Sequence, residues 1–260
     1  MKSKKSLGQH FLHDKNIAQK IVRMSGINSN DYVVEIGCGK GILTREILKN
    51  CKRLVAYEID YDLYGYIQHS IKNDKFVAVN ADFLEADLNA LRSYKSWKIV
   101  ANIPYNITSP LIFKIIRERN LFSCITLMIQ KEVADRISAT AGNKTYGRIA
   151  VKIQIYYDVK KLFNVPPQVF SPPPKVNSAV IQLRPKQEIE ILHPQLLNKL
   201  IDKSFQQRRK MLRTSFKSLF TTREYENIKN VDFDLKKRPE KLDHNDFIKL
   251  SNLIAEKLNL

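Results

Sequence analysis

The sequence predicts an α/β fold followed by a small helical domain, and three observations carry this prediction. From about residue 31 to 130, short apolar runs alternate with amphipathic stretches, a pattern typical of a parallel sheet covered by helices on both faces. A proline-rich stretch, 163–175, then interrupts the alternation. Beyond residue 185 the apolar residues recur at helical spacing. We therefore expect a domain boundary near residues 184–193, with domains at 1–188 and 189–260.

Five apolar runs of strand length occur in the first domain. The predicted strands are 32–36, 53–57, 76–80, 99–101 and 125–129, and the predicted helices lie at about 42–48, 61–71 and from 110–116 onward. Each apolar run is short and is bounded by turn or polar residues, which favours a buried strand over a helix.

The later segments follow different rules. The stretch 163–175 contains five prolines, and because proline has no backbone N–H to donate, this stretch cannot be a central strand. We expect a final strand at 177–183, after this loop. In the second domain, leucine, isoleucine and phenylalanine recur on one face at 196–205 and again at 245–258, which predicts two helices.

The chain carries a large positive charge, with 44 Lys+Arg against 26 Asp+Glu and a net charge of +18. Since 43% of its residues are hydrophobic, the charge does not indicate disorder. An excess of this size indicates a polyanionic partner. No run approaches the roughly 20 apolar residues of a membrane-spanning helix, so we expect nucleic acid and no membrane. Lys2, Lys4 and Lys5 are interpreted as a basic arm on phosphates, and 199–241 holds 13 basic and 6 acidic residues.

The cysteines indicate a reducing compartment. Cys38, Cys51 and Cys124 are odd in number and widely spaced, and no secretory signal is recognised. We therefore expect free thiols in a cytoplasmic protein. No Cys or His pair has the spacing of zinc ligands, and we expect no metal.

Chemistry-bearing residues follow three successive predicted strands. A glycine-rich turn, 37–41, follows the first, Glu58 ends the second, and Asp82-Phe83 follow the third. The carboxyl ends of parallel strands form the ligand-binding edge of an open sheet, and an acid there can accept hydrogen bonds from ribose hydroxyls. The turn fits neither the dinucleotide fingerprint nor a P-loop. Each feature alone could be an ordinary turn or a surface acid, but together they predict a nucleoside pocket without a pyrophosphate site.

The fourth predicted strand ends in Ala101-Asn102-Ile103-Pro104-Tyr105. Asn102 offers a donor and acceptors, Pro104 restricts the backbone, and Tyr105 offers a face on which a base can stack. This set suits an exocyclic amine held in the plane of an adenine. A strand-end turn with a packed tyrosine is the alternative interpretation.

The arrangement resembles the class I S-adenosylmethionine-dependent methyltransferases. Their motif I is similar to VEIGCGKG (34–41), and their ribose-binding acid corresponds to Glu58. The sequence NIPY (102–105) resembles motif IV of enzymes that methylate exocyclic amines of bases. The resemblance implies S-adenosylmethionine as cofactor and a Rossmann-like, mostly parallel seven-stranded sheet.

Further segments resemble one family, the small-subunit ribosomal RNA adenine N6-dimethyltransferases. They are KSLGQHFL (5–12), NITSP (106–110), QKEVADR (130–136), VFSPPPKVNSAV (169–180) and FQQRRKMLR (205–213). These segments extend over both predicted domains, so the resemblance is specific. It implies 16S ribosomal RNA in the immature 30S subunit as partner, and a monomeric enzyme.

The resemblance implies cofactor contacts in which residues 9–12 close over the ligand and the strand ends hold it. The expected cofactor-binding residues are Gln9, His10, Leu12, Gly37, Gly39, Glu58, Ile59, Asp82, Phe83 and Asn102. Two residues depart from the family: His10 stands where many members have Asn, and Cys38 where Pro or Thr is common. We expect altered contacts there and retained binding.

The resemblance also implies the target-binding residues. Asn102, Pro104, Tyr105 and Phe170 would be catalytic, with the rings of Tyr105 and Phe170 on either side of a flipped adenine. The basic residues Arg208, Arg209, Lys210 and Arg213 would contact RNA phosphates, although a charge run is often only a solvated helix face.

These observations favour dimethylation of N6 on two adjacent adenines in the 3′-terminal hairpin loop of 16S ribosomal RNA. A 23S ribosomal RNA methyltransferase of the macrolide-resistance type shares the NIPY segment and is the alternative. A third hypothesis is an assembly factor whose binding to immature subunits matters more than methylation. A small-molecule methyltransferase would leave the charge and the second domain unexplained.

Overall fold

The computed structural model describes residues 8–94, 96–186 and 190–260; the expected basic arm, Lys2 to Lys5, lies outside them. The described residues form two compact units. The N-terminal unit extends to Ala134 and includes Asp158–Pro185, and the C-terminal unit contains Asp135–Tyr157 and the residues from Lys186 on. The change from the N-terminal to the C-terminal unit between Pro185 and Lys186 lies close to the boundary expected after residue 188. The sequence analysis placed 135–157 in the first domain, whereas these residues belong to the C-terminal unit.

The strands belong to the N-terminal unit, apart from the first residue of β7. They are β1 Phe11–Leu12, β2 Tyr32–Ile36, β3 Arg53–Glu58, β4 Phe76–Asn80, β5 Trp97–Asn102, β6 Phe122–Gln130, β7 Tyr157–Val165, β8 Phe170–Ser171 and β9 Ser178–Pro185. The helices are α1 Lys15–Ser25, α2 Ile42–Leu48, α3 Tyr61–Ser70, α4 Thr108–Arg117, α5 Lys131–Ile137, α6 Arg148–Tyr156, α7 Pro194–Gln206, α8 Leu212–Lys217, α9 Thr222–Ile228 and α10 His244–Leu258.

The main sheet has seven strands in the order β4-β3-β2-β5-β6-β9-β7. Strands β2 to β6 pair in parallel, and β9 runs antiparallel to β6. Strands β1 and β8 form a separate antiparallel pair. The predicted α/β fold with a mostly parallel sheet is therefore confirmed. The prolines of 163–175 lie outside the central strands, as their missing N–H groups require.

The central strands are apolar on both faces because helices cover both sides of a parallel sheet. Val33, Ile99 and Ile125 are fully buried. Helix α1 packs against this core through its buried residues and has clear ends. The Asp14 carboxylate accepts the N–H of Ile17 at 3.0 Å at its start, and Gly26, with φ of 68°, ends it.

The C-terminal unit has its own core, formed by side chains from α6, α7, α8 and α10. Phe216 and Phe247 are fully buried in it. The buried Tyr146 hydroxyl donates to the Leu242 carbonyl at 2.9 Å, which ties 135–157 to the end of the chain. Within the described part of the chain, no helix combines the length and the apolar character needed to cross a membrane.

Candidate active site

A cleft opens in the N-terminal unit, where β2, β3, β4 and β5 end. This edge is where open α/β sheets bind ligands. Every residue that the sequence analysis assigned to catalysis or to the cofactor lines the cleft: Gln9, His10, Leu12, Gly37, Gly39, Glu58, Ile59, Asp82, Phe83, Asn102, Pro104, Tyr105 and Phe170. The topology thus brings all of them together, from segments that are far apart in sequence.

The glycine turn after β2 brings the backbone N–H of Gly39 to the buried Glu58 carboxylate. Gly37 and Gly39 have φ of 71° and 55°, values that L side chains rarely adopt. One carboxylate oxygen of Glu58 accepts the Gly39 N–H at 2.9 Å, and the other accepts the Asp60 N–H at 3.1 Å. The Cys38 thiol, a weak donor, lies 3.9 Å from the oxygen that accepts from Gly39. If a hydroxyl displaces that contact, each carboxylate oxygen has a lone pair for one of two vicinal hydroxyls.

Burial raises the pKa of Glu58, while the N–H groups of Gly39 and Asp60 act in the opposite direction. Asp60 in turn accepts a hydrogen bond from the Gln9 side-chain amide at 3.0 Å. Gln9 is thereby attached to the same corner of the cleft as Glu58. The expected closure of the N-terminal segment over the cofactor stays a prediction.

Asp82 and Phe83 lie on a loop after β4. The Asp82 carboxylate accepts the Leu84 N–H at 2.8 Å, and Phe83 is 3% exposed, with the ring of Tyr57 at 5.1 Å in an edge arrangement. The ammonium group of Lys114 lies 5.4 Å from the centre of the Phe83 ring. This loop therefore presents a fixed apolar wall beside an acceptor.

Lys114 is a residue that the sequence analysis missed. It is 6% exposed, and its ammonium donates to the carbonyls of Leu84 at 2.9 Å and Ala86 at 2.7 Å. A signal was present, because Lys114 lies three residues after Leu111, which is buried on the same helix. Its position ties α4 to the loop that carries Phe83.

The segment after β5 combines a polar acceptor with an aromatic ring. The Asn102 side-chain nitrogen donates to the His10 carbonyl at 3.2 Å, which leaves the side-chain oxygen as an acceptor. The Pro104 carbonyl already accepts the Ile107 N–H at 3.2 Å. The Tyr105 hydroxyl and the Ser178 hydroxyl share a hydrogen bond of 2.8 Å, which fixes the ring from its polar end.

The second aromatic wall and the N-terminal segment are joined by a short strand pair. Phe170 is 3% exposed, and its backbone pairs with Leu12 across β1 and β8. The His10 ring nitrogen Nδ1 lies 2.7 Å from the Pro172 carbonyl, and its ring lies 5.8 Å from that of Tyr105. Residues 10–12 are therefore placed by contacts with the proline loop.

A second carboxylate, Glu35, was also not assigned a role in the sequence analysis. It lines the cleft and is 1% exposed. Burial raises its pKa to about 8, and the neighbouring Glu58 charge adds to this. Burial likewise raises the pKa of the Cys38 thiol, whose sulfur lies 3.9 Å from a Glu58 oxygen. Among the described residues, no cluster of His, Cys, Asp and Glu could hold a metal ion.

The four predicted RNA-binding residues lie in the C-terminal unit: three follow the end of α7, and Arg213 lies in the first turn of α8. Arg208 donates to Glu240 at 3.2 Å and to the Lys144 carbonyl at 3.0 Å, so part of its guanidinium is engaged within the unit. Arg209, Lys210 and Arg213 are exposed.

Comparisons with known proteins identify the family. The profile of the family described as ribosomal RNA adenine dimethylase matches residues 1–256. Two relatives are each named Ribosomal RNA small subunit methyltransferase A. The one from Caldanaerobacter subterraneus subsp. tengcongensis is 40% identical over 263 residues, and the one from Francisella tularensis subsp. tularensis is 38% identical over 258 residues. Each alignment covers 98% of both proteins.

Solved structures agree with this result. A dimethyladenosine transferase from Plasmodium falciparum matches with a TM-score of 0.83 at 31% identity, covering 95% of this chain and 98% of its own. The 23S rRNA methyltransferase ErmE matches with a TM-score of 0.73 at 22% identity, covering 94% and 99%, and shows the fold alone. The chain belongs to the ribosomal RNA adenine dimethylase family.

Proposed function

We propose that this protein dimethylates N6 of two adjacent adenines in the 3′-terminal hairpin loop of 16S ribosomal RNA, with S-adenosylmethionine as methyl donor, during maturation of the small subunit. One observation carries the proposal: the NIPY segment after β5 opens into the same cleft as the glycine turn and Glu58. An amine acceptor and a nucleoside pocket thus share one site. Relatives named as small-subunit methyltransferases that cover 98% of the chain support the choice of RNA.

The residues present fit the methyl donor. Glu58 has lone pairs for the two ribose hydroxyls, and Phe83 supplies an apolar wall for the adenine beside the acceptor Asp82. The glycine turn leaves the backbone open, since the position a Gly37 Cβ would take lies 3.9 Å from its nearest neighbour, the Asn102 carbonyl. When bound, S-adenosylmethionine supplies an electrophilic methyl group on a positively charged sulfur.

The protein's part in the reaction is to orient the target amine. The N6 lone pair of adenine is delocalised into the ring, so the amine is a poor nucleophile. In the first of the two transfers, the side-chain oxygen of Asn102 accepts one amine hydrogen, and the remaining lone pair of the Pro104 carbonyl accepts the other; together they favour a pyramidal nitrogen. The Tyr105 ring, fixed through Ser178, supports one face of a base that has left its helix, and Phe170 the other. This is positioning rather than strong base catalysis.

Methyl transfer from tritiated S-adenosylmethionine tests the site. Asn102→Ala is expected to lower the turnover number at least 100-fold, the usual cost of losing one such polar contact. Asn120→Ala is the matched control, because Asn120 is exposed and lies outside the cleft. Equal turnover of the two variants would remove Asn102 from the proposal.

The identity of the RNA is tested separately. Mass spectrometry of 16S ribosomal RNA from cells that lack this protein is expected to show no dimethyladenosines in the 3′-terminal hairpin loop, and their presence would refute the main claim. In vitro, label is expected in immature 30S subunits. Label only in naked 23S RNA would establish the macrolide-resistance type instead.

A further inference from the structure

The C-terminal unit contains a cleft between α8 and α9 that no part of the proposed reaction uses. Its wall carries three cations, Arg213 and Lys217 from α8 and Lys229 at the end of α9. It carries one carboxylate, Glu226, and one aromatic ring, Tyr225. Hydroxyl groups of two threonines complete the lining. Concave walls with three cations against one anion create a positive local potential.

Two of the three cations have no carboxylate partner within the described residues. This holds for the Arg213 guanidinium, which is exposed, and for the Lys217 ammonium. The Lys217 ammonium lies 5.8 Å from the centre of the Tyr225 ring, an arrangement that holds a cation in place without neutralising it. Arg213 and Lys217 therefore present positive charge that no carboxylate of the described residues pairs with.

The third cation is paired, but weakly. Lys229 contacts Glu226 one turn away on the same helix, and their side chains are 43% and 55% exposed. Exposed pairs of this kind contribute little to stability. An anion that enters the cleft can therefore replace Glu226 as the partner of Lys229 with little loss of stability. The negative charge of Glu226 repels the same anion.

We propose that this α8–α9 cleft binds a phosphodiester group of ribosomal RNA. The planar guanidinium of Arg213 suits two oxygens of one phosphate, and Lys217 and Lys229 add point charges beside it. The inference rests on the proposed function for the nature of the polyanion, and it goes beyond that function in naming Lys217, Tyr225 and Lys229. The region 199–241, with 13 basic and 6 acidic residues, gives the surrounding field the same sign.

Filter binding of an unmethylated transcript of the 16S 3′ domain, at several KCl concentrations, tests the proposal. The double variant Arg213→Gln/Lys217→Gln is expected to raise the dissociation constant about tenfold and to lower the slope of log K against log[KCl] by about one. The control is Lys249→Gln/Lys257→Gln, which removes the same charge from exposed positions of α10. If both double variants bind alike, the proposal is wrong.

Glu226→Gln gives a test of opposite sign. Glu226 is the one carboxylate among the described residues that line this cleft. Its removal is expected to tighten RNA binding about threefold, because Lys229 is released and one repulsion disappears. A purely structural role for the helix pair predicts no gain, so unchanged affinity of Glu226→Gln would also overturn the proposal.

The outcome is separable from that of the proposed function. Methylation of immature 30S subunits by the unaltered protein is measured in parallel. If it fails while Arg213→Gln/Lys217→Gln still loses affinity, the proposed reaction is wrong and the phosphate site stands. If methylation occurs and the affinity of the double variant equals that of its control, the reaction stands and the site is wrong.

Discussion

Replacement of Lys114 by Met should weaken cofactor binding without touching the cofactor cleft directly. The ammonium of Lys114 donates to the carbonyls of Leu84 and Ala86 and faces the Phe83 ring. Burial, followed by the charge of Arg117, lowers the pKa of Lys114, so the charge is held there at a cost. Lys114→Met fills a similar volume but removes both donors and the charge.

The structure sets the size of the effect. Hydrogen bonds that involve a charged group contribute about 1.5–3 kcal/mol each to stability, desolvation included. The two carbonyls belong to half-buried residues that water can reach in part, so the loss is smaller than the sum for two such bonds. We expect Lys114→Met to lower the free energy of unfolding by about 2 kcal/mol, which corresponds to a fall of roughly 4–8 °C in melting temperature for a chain of this size. Release of the Phe83 loop should raise the dissociation constant of S-adenosylhomocysteine about tenfold, or about 1.4 kcal/mol.

Calorimetric titration with S-adenosylhomocysteine, paired with thermal melts, measures both quantities. Arg117→Met is the matched control, since it removes one charge from an exposed position one turn along α4. Its affinity should stay within about twofold of the unaltered protein. A Lys114→Met protein that melts earlier but binds the ligand normally would show that Lys114 only stabilises the fold, and the positioning argument would be wrong.

Four further substitutions have defined outcomes. Gly41→Ala should lower stability by about 2–3 kcal/mol in urea unfolding, because φ is 77° and the new Cβ would clash with a methyl carbon of the buried Ile67. Gly65→Ala, inside α3 with open space around it, should instead raise stability by about 0.5–1 kcal/mol; equal effects would contradict the reasoning. Glu35→Gln should flatten the pH dependence of stability. The pKa of Glu35 is about 8 in the folded protein and 4.5 in the unfolded chain, so between these values only the folded state binds the proton. The unaltered protein should therefore lose about 1.4 kcal/mol of its free energy of unfolding per pH unit as pH rises from about 6 to 8. Parallel melting curves for the two proteins over that range would exclude this. Tyr105→Phe keeps the ring and loses only the hydroxyl contact, so methyl transfer should fall less than about threefold, whereas a loss as large as that of Asn102→Ala would assign chemistry to the hydroxyl.

The part of the cleft that we propose binds the cofactor could be predicted from sequence for a physical reason. In a parallel sheet every strand delivers its carboxyl end to the same edge, so residues that follow strands become neighbours. The predicted strands alone were therefore enough to predict that Gly37, Glu58, Asp82 and Asn102 lie close together. In the structure all four line the cleft. The N-terminal residues and Phe170 needed the family resemblance, because their approach depends on the β1–β8 pair, only two residues long.

Some elements were not predicted from the sequence, and the strength of their local signals differs. Strand β7 lies at the edge of the sheet, and most of its residues are exposed or half-buried, so it lacks the apolar run by which the other strands were recognised. Helix α1 was not predicted, although Asp14 at its start and Gly26 after its end are residue types that commonly mark helix ends. The transfer of 135–157 to the C-terminal unit depends on contacts such as Tyr146 with Leu242. Residues so far apart in sequence leave no periodic pattern.

The two departures from the family pattern are compatible with the site because of how each residue takes part in it. The backbone carbonyl of His10 accepts a hydrogen bond from the Asn102 side chain, and any residue at this position would provide that carbonyl. The His10 side chain itself contacts Pro172 and Tyr105. Cys38 lies beside Glu58, and burial raises the pKa of its thiol, so the group is neutral and adds no second negative charge next to the proposed ribose acid. Substitution at these positions therefore changes side-chain contacts while the acceptors expected to hold the cofactor and the target amine keep their places.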